Sequence, residues 1–279
     1  MTPYLSVVLG VGGNLSDDLI ARLKTSVGTN YAPDTEIVIV EWNIHLRDCG
    51  KVASAVEQSL MPVRIIHTPP ELHARRHNPH GYQYFEMAPK NIGIRRARGE
   101  FVLSTNPDGI WSEELAAFFG RRELKHGHFY RVNRHDTSEG KVFCICHATG
   151  GHSPNDSLEQ IRKPSSPRAC AWHENMLHFN AAGDFTLMAR DDWFMIHGNP
   201  EREYNDSVDG ETIWLAHTKG LKQVILPYPL YHPDHPRTLN FSEKEKRVKP
   251  IEWDDNKPHA RENGDEWGFA GMEFEETII

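Results

Sequence analysis

The chain has 279 residues, is 38% hydrophobic and 25% charged, and carries a net charge of −8. That length can bury a full core, in one large α/β domain or two small ones. The acidic balance leaves no basic surplus for a nucleic-acid backbone. No apolar run approaches the ~20 residues of a spanning helix, so any membrane contact is expected to be peripheral.

The opening run MTPYLSVVLGVGG has no basic residue ahead of its apolar stretch. It reads as a buried first strand rather than a signal peptide, and a cytoplasmic protein is expected. Ser6–Val11 is that strand, closed by Gly12-Gly13-Asn14. Ser16 then caps a helix in which Leu19, Ile20, Leu23 and Val27 recur at helical spacing, with Asp17 and Asp18 in its first turn. Glu36–Val40 is a second strand ending at Glu41-Trp42-Asn43, Val52–Leu60 a short helix, and Pro62–His67 a third strand. This alternation predicts a mostly parallel central sheet flanked by helices.

Residues 68–84, dense in proline and histidine, read as a loop. Pro89 suits the first turn of the next helix and Gly99 a stop beyond its end. Phe101–Ser104 is a fourth strand, and Ser112–Gly120 a helix capped by Ser112. Residues 133–170 show no period and read as a long functional loop, more mobile than the sheet. Asp184–Met188, a Trp193–Ile196 segment, a helix over about Gly210–Gly220 and a strand at Gln223–Leu226 follow. A charged tail from Phe241, with Trp253 and Trp267, either docks on the body or stays partly disordered. Cys49, Cys144, Cys146 and Cys170 lack disulfide-framework or zinc spacing and read as reduced thiols.

Three clusters could carry chemistry. The first is Ser104-Thr105-Asn106-Pro107-Asp108-Gly109, where the fourth strand stops at one carboxylate. Ligands of open α/β sheets bind beyond the carboxyl ends of strands. With Lys90, Arg95, Arg96 and Arg98 upstream, Asp108 suggests a metal beside a phosphorylated ligand. Mg²⁺ and Mn²⁺ take few ligands from protein and the rest from phosphate and water. Asn-Pro-Asp-Gly is also a good β-turn on dihedral grounds alone. The second cluster, Tyr231 to Thr238, holds His232 and His235, which either face water or add imidazole to the same ion, favouring Mn²⁺. The third places Asp206, Asp209 and Glu211 at the head of a helix. Acids there complement the helix dipole, and one of them could instead serve as a general base.

Together, over residues 4–238, these patterns resemble a GT-A-fold inverting glycosyltransferase, of the group that includes the family 2 enzymes and the β-1,4-galactosyltransferases. SVVLGVGGNL, with Leu9 and Gly10, stands where that family has its nucleotide-binding first strand. EIVIVEWN is similar to its second strand, whose terminal acid is here Glu41. The stretch Ala88 through Asp108 is similar to AKNxGxxxAxGEFxxxxxxD, with Pro89 inserted. Asp108 then matches the last carboxylate of the DxD metal motif, and Asn106 stands in place of the first. Gly183-Asp184 resembles the acceptor-side strand and Gly198-Asn199-Pro200-Glu201 the GFPE turn. Counting back eleven residues from Gly220 places the catalytic base at Asp209, and His232 and His235 resemble the HxxH metal element.

The resemblance implies one GT-A domain over 1–240, its nucleotide-sugar half 1–110 and its acceptor half 111–240, followed by a tail. It implies a nucleotide diphosphate sugar, UDP-linked, bound through Mn²⁺ or Mg²⁺ on Asp108, His232 and His235. Lys90, Asn91, Arg95 and Asn106 would lie at the donor, and Trp172, His173, Tyr204, Gly183 and Asp184 at a glycan or other hydroxyl acceptor. A nucleotidylyltransferase would share the architecture, but Gly10-Val11-Gly12-Gly13-Asn14 lacks its Lys or Arg. An inactive sugar- or metal-binding relic is the non-enzymatic alternative.

Overall fold

The computed structural model describes residues 2–79, 81–138, 141–144, 177–179, 181–203, 205, 208–233, 235 and 261–279. Its centre is one sheet of ten strands. Strands β1 (Leu5–Gly12), β2 (Thr35–Trp42), β3 (Val63–His67) and β4 (Phe101–Thr105) lie side by side as β3-β2-β1-β4, all parallel. Their sequences are apolar almost without a break because both faces are covered. Leu5, Val7, Leu9 and Val11 of β1 pack toward one side and Val8 toward the other.

Helices α1 (Asp17–Thr29), α2 (Lys51–Val56) and α5 (Glu113–Gly120) line the first face. The opposite face carries α3 (Pro70–Ala74), α4 (Met87–Arg96), α6 (Arg190–Met195) and α7 (Val208–Thr218). Gly93 lets α4 lie close to the sheet, since a Cβ there would come within 2.5 Å of Val8 Cγ1. Ser16 and Ser112 cap α1 and α5, each hydroxyl accepting the amide of the third residue on.

Beyond β4 the sheet becomes mixed. Strands β5 (Ile110–Trp111), β6 (His128–Ser138), β7 (Lys141–Cys144), β8 (Phe185–Ala189) and β9 (Lys222–Pro233) continue it as β4-β8-β6-β9-β5, with β7 on β6. Of these pairs only β6 with β9 is parallel. The parallel arrangement expected from sequence is therefore confined to the first four strands.

Three local expectations need correction. Residues 68–84 include the short helix α3, opened by Pro70 at its first position. Residues 133–138 and 141–144, expected to be irregular, are strands, while 145–170 lie outside the described residues. The strand expected to stop at Leu226 runs on to Pro233. Pro227 and Pro229 cannot donate to a ladder, and the register skips there, from Val132 opposite Leu226 to Arg134 opposite Leu230.

Of the tail, Trp253 lies outside the described residues, whereas 261–279 packs on the body. Trp267 is buried beside Phe194 and under the Arg95 guanidinium. A last strand, β10 (Glu275–Ile278), pairs antiparallel with the outer edge of β3. Among the described residues no helix is long and apolar enough to cross a membrane.

Candidate active site at the strand ends

The turn after β4 is fastened to one face of α1. Arg22, Ser26 and Asn30 follow at helical spacing, so they present side chains in a row. Arg22 Nη1 lies 2.5 Å from Asp108 Oδ2, Ser26 Oγ donates to Gly109 O at 2.7 Å, and Asn30 Nδ2 donates to the same carbonyl at 2.9 Å. Asn30 Oδ1 in turn accepts from Trp111 N. Strand β5 then pairs Ile110 with Tyr231 and Trp111 with Leu230. That two-residue ladder brings Asp108 against His232.

The result is a buried cluster. Asp108, 6% exposed, has its Oδ2 3.6 Å from His232 Nε2 and 3.3 Å from His235 Nε2. One ligand atom from each of the three lies within 4.8 Å of the others, a spacing a single cation could span. Burial alone would push the Asp108 carboxyl up. The nearby charges of His232 and Arg22, with both imidazoles facing the carboxylate, hold it well below the usual carboxylate range. Burial would lower His232 likewise, yet Asp108 and Asp136 raise it to about 9.

These residues fit a divalent cation. Asp108 Oδ1 is buried without a hydrogen-bond partner, and such an atom is rare unless something is meant to meet it. Asp136 Oδ1 stands 3.3 Å behind His232 Nδ1, the carboxylate-behind-imidazole pattern that orients metal-binding histidines. Imidazole beside carboxylate suits a transition ion such as Mn²⁺ better than Mg²⁺, which takes oxygen ligands.

From Asp136 a polar chain crosses the floor. Arg134 bonds Asp136 at 2.9 Å and Asp184 Oδ2 at 2.6 Å. Asp184 Oδ1 accepts from Asn106 Nδ2 at 2.7 Å, and Asn106 Oδ1 accepts from Lys90 Nζ at 2.7 Å. Lys90 also donates to Glu86 Oε1 at 2.6 Å and to Gly183 O at 2.8 Å. Gly183 N donates to Asp209 Oδ2 at 2.7 Å. The cluster around Asp108 and the carboxylate of Asp209 are thus two ends of one network.

Asp209, half-buried at the head of α7, has its pKa raised, by burial first and by the nearby Glu86 second. The amides of Gly183 and Gly210 offset part of that rise. A carboxylate so placed is a better base than an exposed one, because its conjugate acid is weaker. Gly183 allows this approach, since a Cβ would meet Glu86 Oε1 at 2.8 Å and Asp209 Oδ2 at 3.4 Å.

The other sequence-predicted residues divide. Gly10, Asn106 and Asp108 line a cleft of about 200 Å³ with Gly12, Asn14, Arg22, Glu86 and His235. Leu9 points into the core. Glu41, at the end of β2, holds His67 Nδ1 at 2.7 Å on the β3 side. Asn91 is fully buried and ties α4 to Asn199 and Glu201. Two expectations are corrected. Lys90, 1% exposed, has its three protons engaged, so it braces the floor and is not free for a diphosphate. Arg95 sits at the far end of α4, near the strands' amino ends, and donates to Trp267 O. Trp172, His173 and Tyr204, together with Asp206, lie outside the described residues.

Four site residues escaped the sequence reading: Arg22, Glu86, Arg134 and Asp136. The spacing of Arg22, Ser26 and Asn30 was a legible signal of a polar face on α1. Arg134 and Asp136, two apart, belong to one face of a strand whose polar sequence shows no clear period. Glu86 offered the helix spacing to Lys90.

No family model and no curated protein matches the sequence. Solved structures do match in three dimensions. Residues 1–349 of S. aureus TarS, in complex with UDP-GlcNAc, superpose with a TM-score of 0.53 at 14% identity, covering 83% of this chain and 59% of that one. The mannosyltransferase PcManGT from Pyrobaculum calidifontis, in complex with GDP-Man and Mn²⁺, gives 0.52 at 15% identity, covering 85% and 59%. The chain therefore spans about three-fifths of the length of either structure. At such identity the likeness is one of fold: this chain has the GT-A fold of these glycosyltransferases.

Proposed function

We propose that the chain is an inverting glycosyltransferase that moves a hexosyl group from a nucleoside diphosphate sugar, UDP-linked, to an acceptor hydroxyl. One observation carries the reading. A carboxylate–imidazole cluster with an unpaired buried oxygen stands at the strand ends, joined by a continuous polar chain to a second carboxylate whose pKa is raised. The likeness to a mannosyltransferase bound to GDP-Man and Mn²⁺ supports it.

In this reading the nucleotide sugar lies across the ends of β1 and β4, with its diphosphate toward Asp108, His232 and His235. A divalent ion on those three residues supplies neutralisation of the charge that develops on the leaving diphosphate. Asp209 accepts the proton of the acceptor hydroxyl, the oxygen bonds to the anomeric carbon, and the bond from that carbon to the diphosphate breaks. Attack opposite the leaving group inverts the configuration. Lys90 holds Glu86, Asn106 and Gly183 in place beneath the reacting groups. Asp184, locked by Asn106 and Arg134, fixes the strand that carries the acceptor side.

The test is a thermal-shift panel of UDP-glucose, UDP-GlcNAc and GDP-mannose, each with Mn²⁺ and with a chelator. A nucleotide sugar at a hundred times its Kd stabilises the native state by about 2.7 kcal/mol. No shift with any donor under either condition would sink the proposal. Release of nucleoside diphosphate on prolonged incubation separates an enzyme from an inactive binding protein.

A further inference from the structure

The cleft has an unusual economy of charge. Of the Lys and Arg residues described, Arg22 is the one that lines it. Lys90 is saturated within the floor and Arg95 is bound to the tail. The Arg22 side chain is nine-tenths buried, and its Nη1 meets Asp108 on Oδ2, the oxygen that both histidines also face. Its Nε is buried with no partner, as is Asp108 Oδ1. A divalent ion bound through Oδ2 would stand within a few ångström of a guanidinium that already holds that oxygen. Like charges that close in a buried site repel strongly, so the two compete for Asp108.

Arg22 has somewhere else to go. Its Nη2 already lies 3.1 Å from Asp18 Oδ2, an exposed carboxylate one turn earlier on α1, so the guanidinium keeps a partner when Asp108 is given up. A guanidinium freed there, with its Nε proton unused, matches two phosphate oxygens in a fork.

We infer that Arg22 is a built-in counter-charge for Asp108 that exchanges places with the divalent ion when a nucleoside diphosphate enters, turning its fork to the phosphates. The inference rests on the nucleotide-sugar reading of this cleft. It assigns Arg22 to the phosphates as a binding residue, and it makes cation and nucleotide binding mutually dependent. By linkage, the factor by which UDP tightens Mn²⁺ must equal the factor by which Mn²⁺ tightens UDP.

The experiment is a binding cycle on the full chain: Mn²⁺ alone by electron paramagnetic resonance, and UDP by calorimetry with Mn²⁺ and with chelator. Wild type is compared with Arg22→Met, whose folding is checked by its thermal melt; Arg22→Gln replaces it if the methionine variant does not fold. Arg22→Met is expected to bind Mn²⁺ alone about tenfold tighter than wild type, because the competitor is gone. It is expected to bind UDP in chelator about tenfold more weakly, the loss typical of a charged hydrogen bond. The coupling between the two ligands is expected to shrink with it, because the exchange at Asp108 no longer links them. Unchanged or weaker Mn²⁺ binding by Arg22→Met, alongside normal UDP binding by wild type, would overturn the inference and leave the glycosyltransferase reading standing. Failure of wild type to bind UDP with or without Mn²⁺ would overturn that reading and the phosphate role together, whatever the Mn²⁺ comparison gives.

Discussion

Two buried ionic clusters occupy opposite ends of the same strands. At the amino ends, Glu36 accepts from Ser6 Oγ at 2.6 Å and from Arg98 N at 2.8 Å on one oxygen, and from Arg64 Nη1 at 3.2 Å on the other. Arg64 then meets both oxygens of Glu276, at 2.8 and 3.1 Å. No side-chain atom of Glu36 or Arg64 is left buried without a partner. At the carboxyl ends, one oxygen of Asp108 is crowded by Arg22, His232 and His235 while the other has no partner. Both clusters set an arginine against a buried carboxylate, but one is closed and the other open. Full pairing marks a clamp that holds β1, β2, β3 and β10 together. Incomplete pairing in a cleft marks a place where the protein has left a coordination position for something else.

The comparison can be broken most sharply at its open end. Asp209→Asn is expected to keep the fold and the binding of a nucleotide sugar, while turnover falls by roughly 10²–10⁴-fold, the usual cost of losing a general base. Donor consumption with Asp206→Asn and Glu211→Gln as controls checks it. Glu211 is buried and paired with Arg202, so its change should show as instability rather than as a pure loss of rate. Near-normal turnover by all three variants would remove the carboxylate-base mechanism.

At the closed end, Glu36→Gln should cost stability and leave ligand binding untouched. Breaking a buried pair costs roughly 3–5 kcal/mol, and the low end is expected because Glu276 still faces Arg64. Urea denaturation with a parallel nucleotide titration would show both halves. A loss of nucleotide affinity without a loss of stability would mean the two ends are not independent.

A third measurement uses pH. His232 in the folded chain is raised to about 9, above its ordinary value near 6.5. Its contribution to stability is therefore full below about 6.5 and is lost as pH rises through 9, on the order of 3 kcal/mol in all. Chemical denaturation in chelator at pH 6 and pH 9.5 should reveal this fall, and His232→Gln should remove most of it. Mn²⁺ affinity should move the opposite way, strengthening as the imidazole loses its proton. The smallest effect belongs to the clamp's outer partner: Glu276→Gln, partly exposed, should cost about 1 kcal/mol and nothing in binding.

How much of this was legible in the chain follows from how local each signal is. The parallel strands were readable because an apolar run buried on both faces declares itself within six or eight residues. Capping by Ser16 and Ser112 was readable because the donors lie three residues on. The GT-A likeness and the meeting of Asp108 with His232 and His235 came from motif order, and the structure brings those three together. What was not legible depends on pairing between distant segments. β6 is a polar, histidine-bearing strand whose place is set by its neighbours β8 and β9, so Arg134 and Asp136 passed as loop residues. The length of β9 was hidden by Pro227 and Pro229, which usually end a strand and here sit at a register skip. Lys90 looked like a phosphate ligand because sequence gives a charge but not the direction in which it points. Only the fold turns it inward onto Glu86, Asn106 and Gly183.

The pairing of β10 with β3 has a consequence for synthesis. Arg64 and Glu276 are 212 residues apart. At the 5–20 residues per second of translation, roughly 10–40 s separate the appearance of β3 from that of its outer neighbour. Throughout that interval Val-Arg-Ile-Ile presents a row of unsatisfied amides and carbonyls on an apolar ribbon, the kind of edge that captures other chains. A nascent copy is therefore exposed to mispairing until β10 emerges, and a chaperone that shields this one edge should raise the yield of folded protein more than one that acts after β10 has paired.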